Sequence, residues 1–182
     1  DIALQHRRGV GLVYSSEYAS EEQAKQTLID YVSERYPGAQ DAQFSCRTLS
    51  FEPGYRAQFW VRNCLSLGMS SGFVEPLEAS AIAMVELGLR MLCEAFPHNK
   101  DHMEIVSKRY NTRFEYRWQR VIDFLKLHYV LSDREEPYWV AQRSDASIPD
   151  SLAELLKLWQ YQSPSRLDLI ENEEIFPSAS YQ

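Results

Sequence analysis

Glu78 is the residue in this sequence best placed to do chemistry. It lies in Asn63–Ile82, NCLSLGMSSGFVEPLEASAI, where a strand-like run leads through a glycine-rich turn toward a helix. Gly68 and Gly72 bracket Met69, Ser70 and Ser71, so backbone N–H groups there can approach a flat or anionic ligand without obstruction from Cβ atoms. Pro76 closes the turn, and the spacing places Glu78 in the first turn of the following helix. Free N–H groups and the positive dipole end favour a carboxylate or a small anion at that point. A carboxylate so held can accept a proton and stabilise a developing cation, although on residue type alone a helix-start glutamate is more often a dipole partner than a base. Other titratable groups point less clearly to a site. His98 and His102 are four apart but have no third ligand, so no metal site is expected. His128 ends an apolar stripe and reads as a core histidine with a backbone partner.

The elements that must position Glu78 follow from periodicity and turn chemistry. Gly9–Ser15 reads as a strand with alternating small and large residues, and Ser20 with Gln23 forms a capping box for a helix that Pro37-Gly38 stops. Phe44–Phe51 and Arg56–Val61 read as a hairpin turning at Glu52-Pro53-Gly54-Tyr55, and Trp60–Leu67 as a buried strand. The helix after Glu78 is expected to be deeply buried, with Ile82, Val85, Leu89, Leu92 and Phe96 on one stripe and Ala81, Met84, Gly88, Met91 and Ala95 on a second. From Met103 to His128, apolar residues recur at three and four, which argues for one long helix with a charged far side. Asp133–Pro137 breaks it, and Ser151–Trp159 makes a last amphipathic helix. Glu171–Glu174 begins a loosely docked tail that Ile175 and Phe176 could pin.

Composition narrows the function classes. In 182 residues, 45% hydrophobic, the chain can bury a core of its own. Its formal net charge of −7 argues against binding a phosphate backbone, so no nucleic-acid partner is expected. Three widely spaced cysteines without a CxxC pattern suit a reducing, cytoplasmic setting, and no apolar run is long enough to span a bilayer.

The stretch NCLSLGMSSGFVEPLEASAI resembles the flavin-dependent tryptophan halogenase family, whose members carry a similar NCxALGxxxGFxEPLESTxI; RRGVGLVYSS near the start, Phe124–Tyr129 and the pair Tyr138-Trp139 extend the resemblance over most of the chain. It implies an α+β, mostly helical region forming the C-terminal portion of a flavin-dependent monooxygenase-like, FAD-binding α/β fold. Residues 1–97 would complete the FAD domain and residues 98–182 would form the helical substrate side. The family's GxGxxG unit and catalytic lysine are not in this sequence, so the chain is expected to be the C-terminal part of a longer enzyme, inactive alone.

By the same resemblance, Glu78 is catalytic and borders the substrate with Ala79. Met69 and Ile82 touch the flavin, while the backbone of Ser80 and Ala81 holds chloride or bromide. Tyr129, Tyr138 and Trp139 line the substrate pocket. Reduced FAD, a separate flavin reductase and a small aromatic substrate, tryptophan or another indole, are the implied cofactor and partners; a homodimer is compatible. The sequence departs from the family at Ala79, Ser80 and Ala81, where the family has Ser-Thr-Gly, and at Arg134, where tryptophan-specific members have a glutamate for the substrate's ammonium. A monooxygenase-like enzyme without halide use and a non-catalytic helical module are the alternative readings.

Overall fold

A computed structural model describes residues 1–36, 38, 44–170 and 174–182; Pro37 and Glu171, expected in the helix stop and the tail, lie outside the described residues. The chain forms two compact units, Asp1–Phe51 and Glu52–Gln182. Five α-helices, four short 3₁₀ helices and three antiparallel pairs of two-residue strands account for the regular structure among the described residues, an α+β arrangement dominated by helix.

In the first unit, β1 (Ile2–Ala3) pairs with β2 (Arg8–Gly9), and α1 (Glu21–Arg35) opens on the expected capping box. Ser20 Oγ accepts from the Gln23 N–H at 3.2 Å, and Gln23 Oε1 accepts from the Ser20 N–H at 2.9 Å. Two expected strands are not formed. Residues 10–15 and Phe44–Phe51 have no strand partner among the described residues, and Val13 and Leu49 are exposed. Alternation marks a segment that could pair, but the ladder also needs a neighbour, which local pattern does not supply.

The second unit holds the Glu78 stretch. Trp60–Leu67, expected as one strand, doubles back instead: β4 (Trp60–Val61) pairs with β5 (Cys64–Leu65) around the two-residue turn Arg62-Asn63. Arg62 takes φ +55°, and its carbonyl accepts from the Trp60 indole N–H at 3.0 Å. The expected hairpin between Phe44–Phe51 and Arg56–Val61 is replaced by β3 (Gly54–Tyr55) pairing with β6 (Gly72–Phe73). Only glycine fits at position 72. A Cβ there would stand 2.7 Å from the Tyr55 Cβ, 2.8 Å from the Trp118 ring and 2.9 Å from the Gly54 carbonyl oxygen.

Helix α2 (Ala81–Glu94) starts three residues after Glu78, so the glutamate sits in the approach to the helix rather than in its first turn. The helix also faces the other way from the expectation of deep burial. Met84 and Gly88 are buried, whereas Ile82 and Phe96 are 75% and 64% exposed and Leu89 is exposed as well. The small-residue stripe forms the contact because it permits close approach: a Cβ on Gly88 would lie 2.7 Å from both the Tyr110 hydroxyl and a Leu67 methyl.

Helix α3 (Lys100–Val130) is the axis of the unit, capped by Asn99 Oδ1 accepting from the His102 N–H at 2.8 Å. The expected apolar face is buried. Val106, Tyr110, Phe114, Trp118, Val121 and Leu125 form one core with Phe59, Trp60 and Met84. Asn111 fastens the β4–β5 hairpin to it. Its Oδ1 accepts from the N–H groups of Phe59 at 2.9 Å and Trp60 at 2.8 Å, and its Nδ2 donates to the Trp60 carbonyl at 2.9 Å.

The far side of α3 is charged as expected; it is exposed in the first half of the helix, at Lys108, Arg109, Arg113 and Glu115, but in the second half Arg117, Arg120, Asp123 and Lys126 are all buried. The chain beyond α3 covers them. Asp123 pairs with Arg120 and accepts from Ser151 Oγ at 2.8 Å, where α5 (Asp150–Trp159) begins. Lys126 Nζ donates to Gln142 Oε1 at 2.7 Å, at the end of α4 (Pro137–Gln142), and to Ser147 Oγ at 2.9 Å. Burial raises the Asp123 carboxyl above its ordinary range and lowers the Lys126 ammonium. The tail is pinned by Phe176, stacked on Phe124 at 3.9 Å, and by buried Tyr181.

Replacing Asn111 by Ala orphans the two N–H groups of the nearly buried Phe59–Trp60 segment. We expect a loss of about 2–6 kcal/mol in unfolding free energy, at about 1–3 kcal/mol for each unsatisfied group, read from the denaturant midpoint.

Candidate active site

The site is built where the loop before α2 meets the C-terminal end of α3. Gly68–Ser70 forms a 3₁₀ turn, with Gly68 at φ +57°. Ser71 Oγ donates to the Gly68 carbonyl at 2.7 Å, so a hydroxyl of this turn serves the backbone. Met69 is left 80% exposed, and a Cβ on Gly68 would be 3.5 Å from Val85, one turn along α2 from Ile82. Two exposed apolar side chains thus stand where the glycine turn meets the first turns of α2.

Glu75-Pro76-Leu77-Glu78 follows as a sequence of tight bends. The Leu77 N–H donates to the Glu75 carbonyl at 2.9 Å, and the Ser80 N–H donates to the Glu78 carbonyl at 2.8 Å. The two carboxylates of the loop go to consecutive residues of α3. Tyr129 donates its hydroxyl to Glu75 Oε1 at 3.0 Å, while His128 Nε2 lies 3.4 Å from Glu78 Oε1. Tyr129 is buried, and desolvation pushes its phenol well above the ordinary tyrosine range, so it stays a donor. The Glu78 side chain keeps 39% of its surface exposed. One glutamate is therefore fixed inward by a phenol, while the other remains open to a ligand.

Tyr129, Tyr138 and Trp139 come together, with ring centroids 5.3 to 5.9 Å apart. Tyr129 is the buried member; Tyr138 and Trp139 are half-buried at the start of α4. Arg134 lies over the Trp139 ring at 4.6 Å and pairs with Glu136, whose carboxyl it holds at about 2. The position expected to carry a glutamate for an ammonium thus holds a guanidinium on an aromatic face.

Ser80 is buried and caps α2 without a side-chain hydrogen bond, its N–H already donated to Glu78. Ala81 opens the helix, and Arg62 is the only non-glycine residue with positive φ among the described residues. Alanine at 81 is therefore unstrained. Ala79 is exposed beside Glu78. His98 and His102 stack at 5.4 Å, and no three His, Cys, Asp or Glu side chains converge as metal ligands among the described residues.

The structure thus brings Glu78, Ala79, Ser80 and Ala81 into one short loop and joins that loop to Tyr129, with Tyr138 and Trp139 behind it. Sequence reasoning left Glu75 unmarked and assigned His128 to the core. Glu75 lies within the same EPLE run, and its spacing of three from Glu78 was the available signal. His128 does have the backbone partner expected of a core histidine, with Nδ1 2.8 Å from the Phe124 carbonyl oxygen, but its other nitrogen faces Glu78.

A half-exposed glutamate beside an imidazole, next to an aromatic cluster, is the candidate site. The model of the tryptophan halogenase family matches residues 1–182, and the chain belongs to that family. It is 33% identical to the tryptophan 6-halogenase SttH of Streptomyces toxytricini over 97% of this chain and 31% of that protein. It is 31% identical to the tryptophan 7-halogenase RebH of Lentzea aerocolonigenes over 87% of this chain and 29% of that one. Among solved structures, a tryptophan halogenase from Shewanella frigidimarina superposes with a TM-score of 0.86 at 44% identity, covering 92% of this chain and 32% of its own. The chain spans about a third of the length of these relatives.

Replacing Tyr129 by Phe leaves the inward Glu75 carboxylate without its donor. The expected cost is about 1–3 kcal/mol of stability, measured by denaturant unfolding.

Proposed function

We propose that this chain supplies the Glu78 side of the active site of a flavin-dependent halogenase acting on an electron-rich aromatic ring, tryptophan or another indole. The single observation that carries this reading is the division of labour in the EPLE loop: Glu75 is anchored on Tyr129 while Glu78 is left half-exposed beside His128. Electrophilic substitution on an arene requires an acceptor for the ring proton and a negative charge near the cationic intermediate, and Glu78 offers both. Tyr138 and Trp139 offer aromatic walls for the substrate. Residues 1–97 would face the cofactor and 98–182 the substrate.

The residues present suit a flavin. Met69 and Ile82 are apolar, largely exposed and close to the glycine turn, as contact with a ring face requires. When bound, reduced FAD with oxygen and halide supplies the electrophilic halogen; the family's lysine, a flavin reductase and the dinucleotide-binding unit would come from outside this sequence. The Ala81 N–H at the start of α2 is the amide we assign to chloride or bromide, since that of Ser80 is engaged. Arg134 on Trp139 favours an arene without a free ammonium at that place, such as a bare indole or an indole within a larger molecule. No helix among the described residues is long and apolar enough to cross a membrane.

The engaged Ser80 N–H, together with Ala79 and Ala81, supports a second reading: a flavin monooxygenase-like enzyme that has lost halide use. One experiment separates the two. The complete chain, supplied with FAD, a reductase, NADH, bromide and a panel of indoles, is expected to give the bromine isotope doublet by mass spectrometry, and a gain of oxygen would favour the second reading. Glu78→Gln is expected to lower the halogenation rate by about 10²-fold or more. Glu75→Gln, which changes the anchored carboxylate, should lower it far less.

A further inference from the structure

We infer that His128 is a positioning residue that clears the proton from Glu78 after each turnover, an inference that rests on the halogenation reading. The His128 ring is held from two directions. Its Nδ1 is 2.8 Å from the Phe124 carbonyl oxygen, and its edge packs on the Phe124 ring with centroids 4.8 Å apart. A carbonyl oxygen only accepts, so Nδ1 carries the hydrogen and the neutral ring is the Nδ1–H tautomer. Nε2 is then the nitrogen without a hydrogen, and it lies 3.4 Å from Glu78 Oε1. A lone pair facing a carboxylate is an unfavourable contact that becomes favourable once Glu78 gains a proton.

The proton path balances at each step. The C–H bond of the cationic arene breaks, its electron pair returns to the ring, and the proton forms an O–H bond on Glu78. That O–H bond breaks as Nε2–H forms, leaving a carboxylate beside an imidazolium whose second N–H remains on the Phe124 carbonyl. The His128 side chain is 37% exposed, so Nε2–H can release its proton to water and restore the starting tautomer. Catalytic hydrogen bonds are often long in the unliganded state and tighten only when substrate is bound. Glu75 takes no part, because Tyr129 occupies it. Neighbours on α3 thus divide the two carboxylates between a fixed anchor and a proton outlet.

The test uses the complete chain. Under saturating bromide and indole, His128→Gln is expected to lower kcat by about tenfold or more with KM for the arene unchanged within about twofold. Added imidazole should restore turnover to His128→Ala. In ¹⁵N-histidine-labelled wild-type protein at alkaline pH, the resonance missing from His128→Gln should show the Nδ1–H tautomer. An Nε2–H tautomer overturns the inference whether or not the variants fold, as does an active His128→Gln with unchanged kcat or with loss confined to KM. A wild-type chain that binds flavin yet brominates no arene overturns the halogenation reading and this inference with it, whereas normal bromination with the wrong tautomer overturns this inference alone.

Discussion

The site depends on the hold that the last turns of α3 exert on the loop Glu75–Glu78. A loop that bends twice within six residues, at Leu77 and again at Ser80, has few ways to fix its own side chains. Here it is fixed from outside, by a hydroxyl that donates to Glu75, while the next residue back along a helix 31 residues long sets an imidazole beside Glu78. Adjacent helical positions point about 100° apart, so neighbouring carboxylates that might otherwise compete are drawn to separate environments. One environment supplies a donor from a buried phenol. The other leaves a carboxylate with 39% of its side chain exposed.

For that hold to be precise, α3 itself must not move, and both of its sides contribute. The apolar side closes over β4, β5 and α2, with Asn111 bonding directly to hairpin backbone and Gly72 and Gly88 allowing contacts that no Cβ would permit. On the opposite side, Asp123 and Lys126 reach across to Ser151, Gln142 and Ser147. Buried charges of this kind cost desolvation and add little net stability, but once paired they fix one register of α4 and α5 against α3. Tyr138 and Trp139 lie at the start of α4, so the same contacts set where the aromatic cluster sits.

Much of this was legible from the residues. The long helix showed itself through Val106, Tyr110, Phe114, Trp118, Val121 and Leu125 at intervals of three and four, and the Ser20–Gln23 capping box through its spacing. The Glu78 stretch and the aromatic trio could be marked from motif alone. The rest depends on partners distant in sequence. Whether Arg120 and Asp123 are solvated or buried is decided by what α5 covers, and whether Ile82 or Gly88 faces inward is decided by how closely α3 approaches. Trp60–Leu67 had the composition of a strand, but Arg62 at φ +55° turned it into a hairpin without the usual glycine. His128 illustrates the general difficulty: periodicity places it on a core stripe, while its function would come from the one nitrogen that periodicity cannot see.

The most direct measurement is a crystal structure of the complete chain with an indole and halide bound. The account predicts the Glu78 carboxylate within about 4 Å of the carbon that is halogenated, close enough to receive its proton, with Glu75 still on Tyr129 and the indole between Glu78 and the Tyr138–Trp139 walls. An indole bound with Glu78 turned away and Glu75 facing the ring would contradict it.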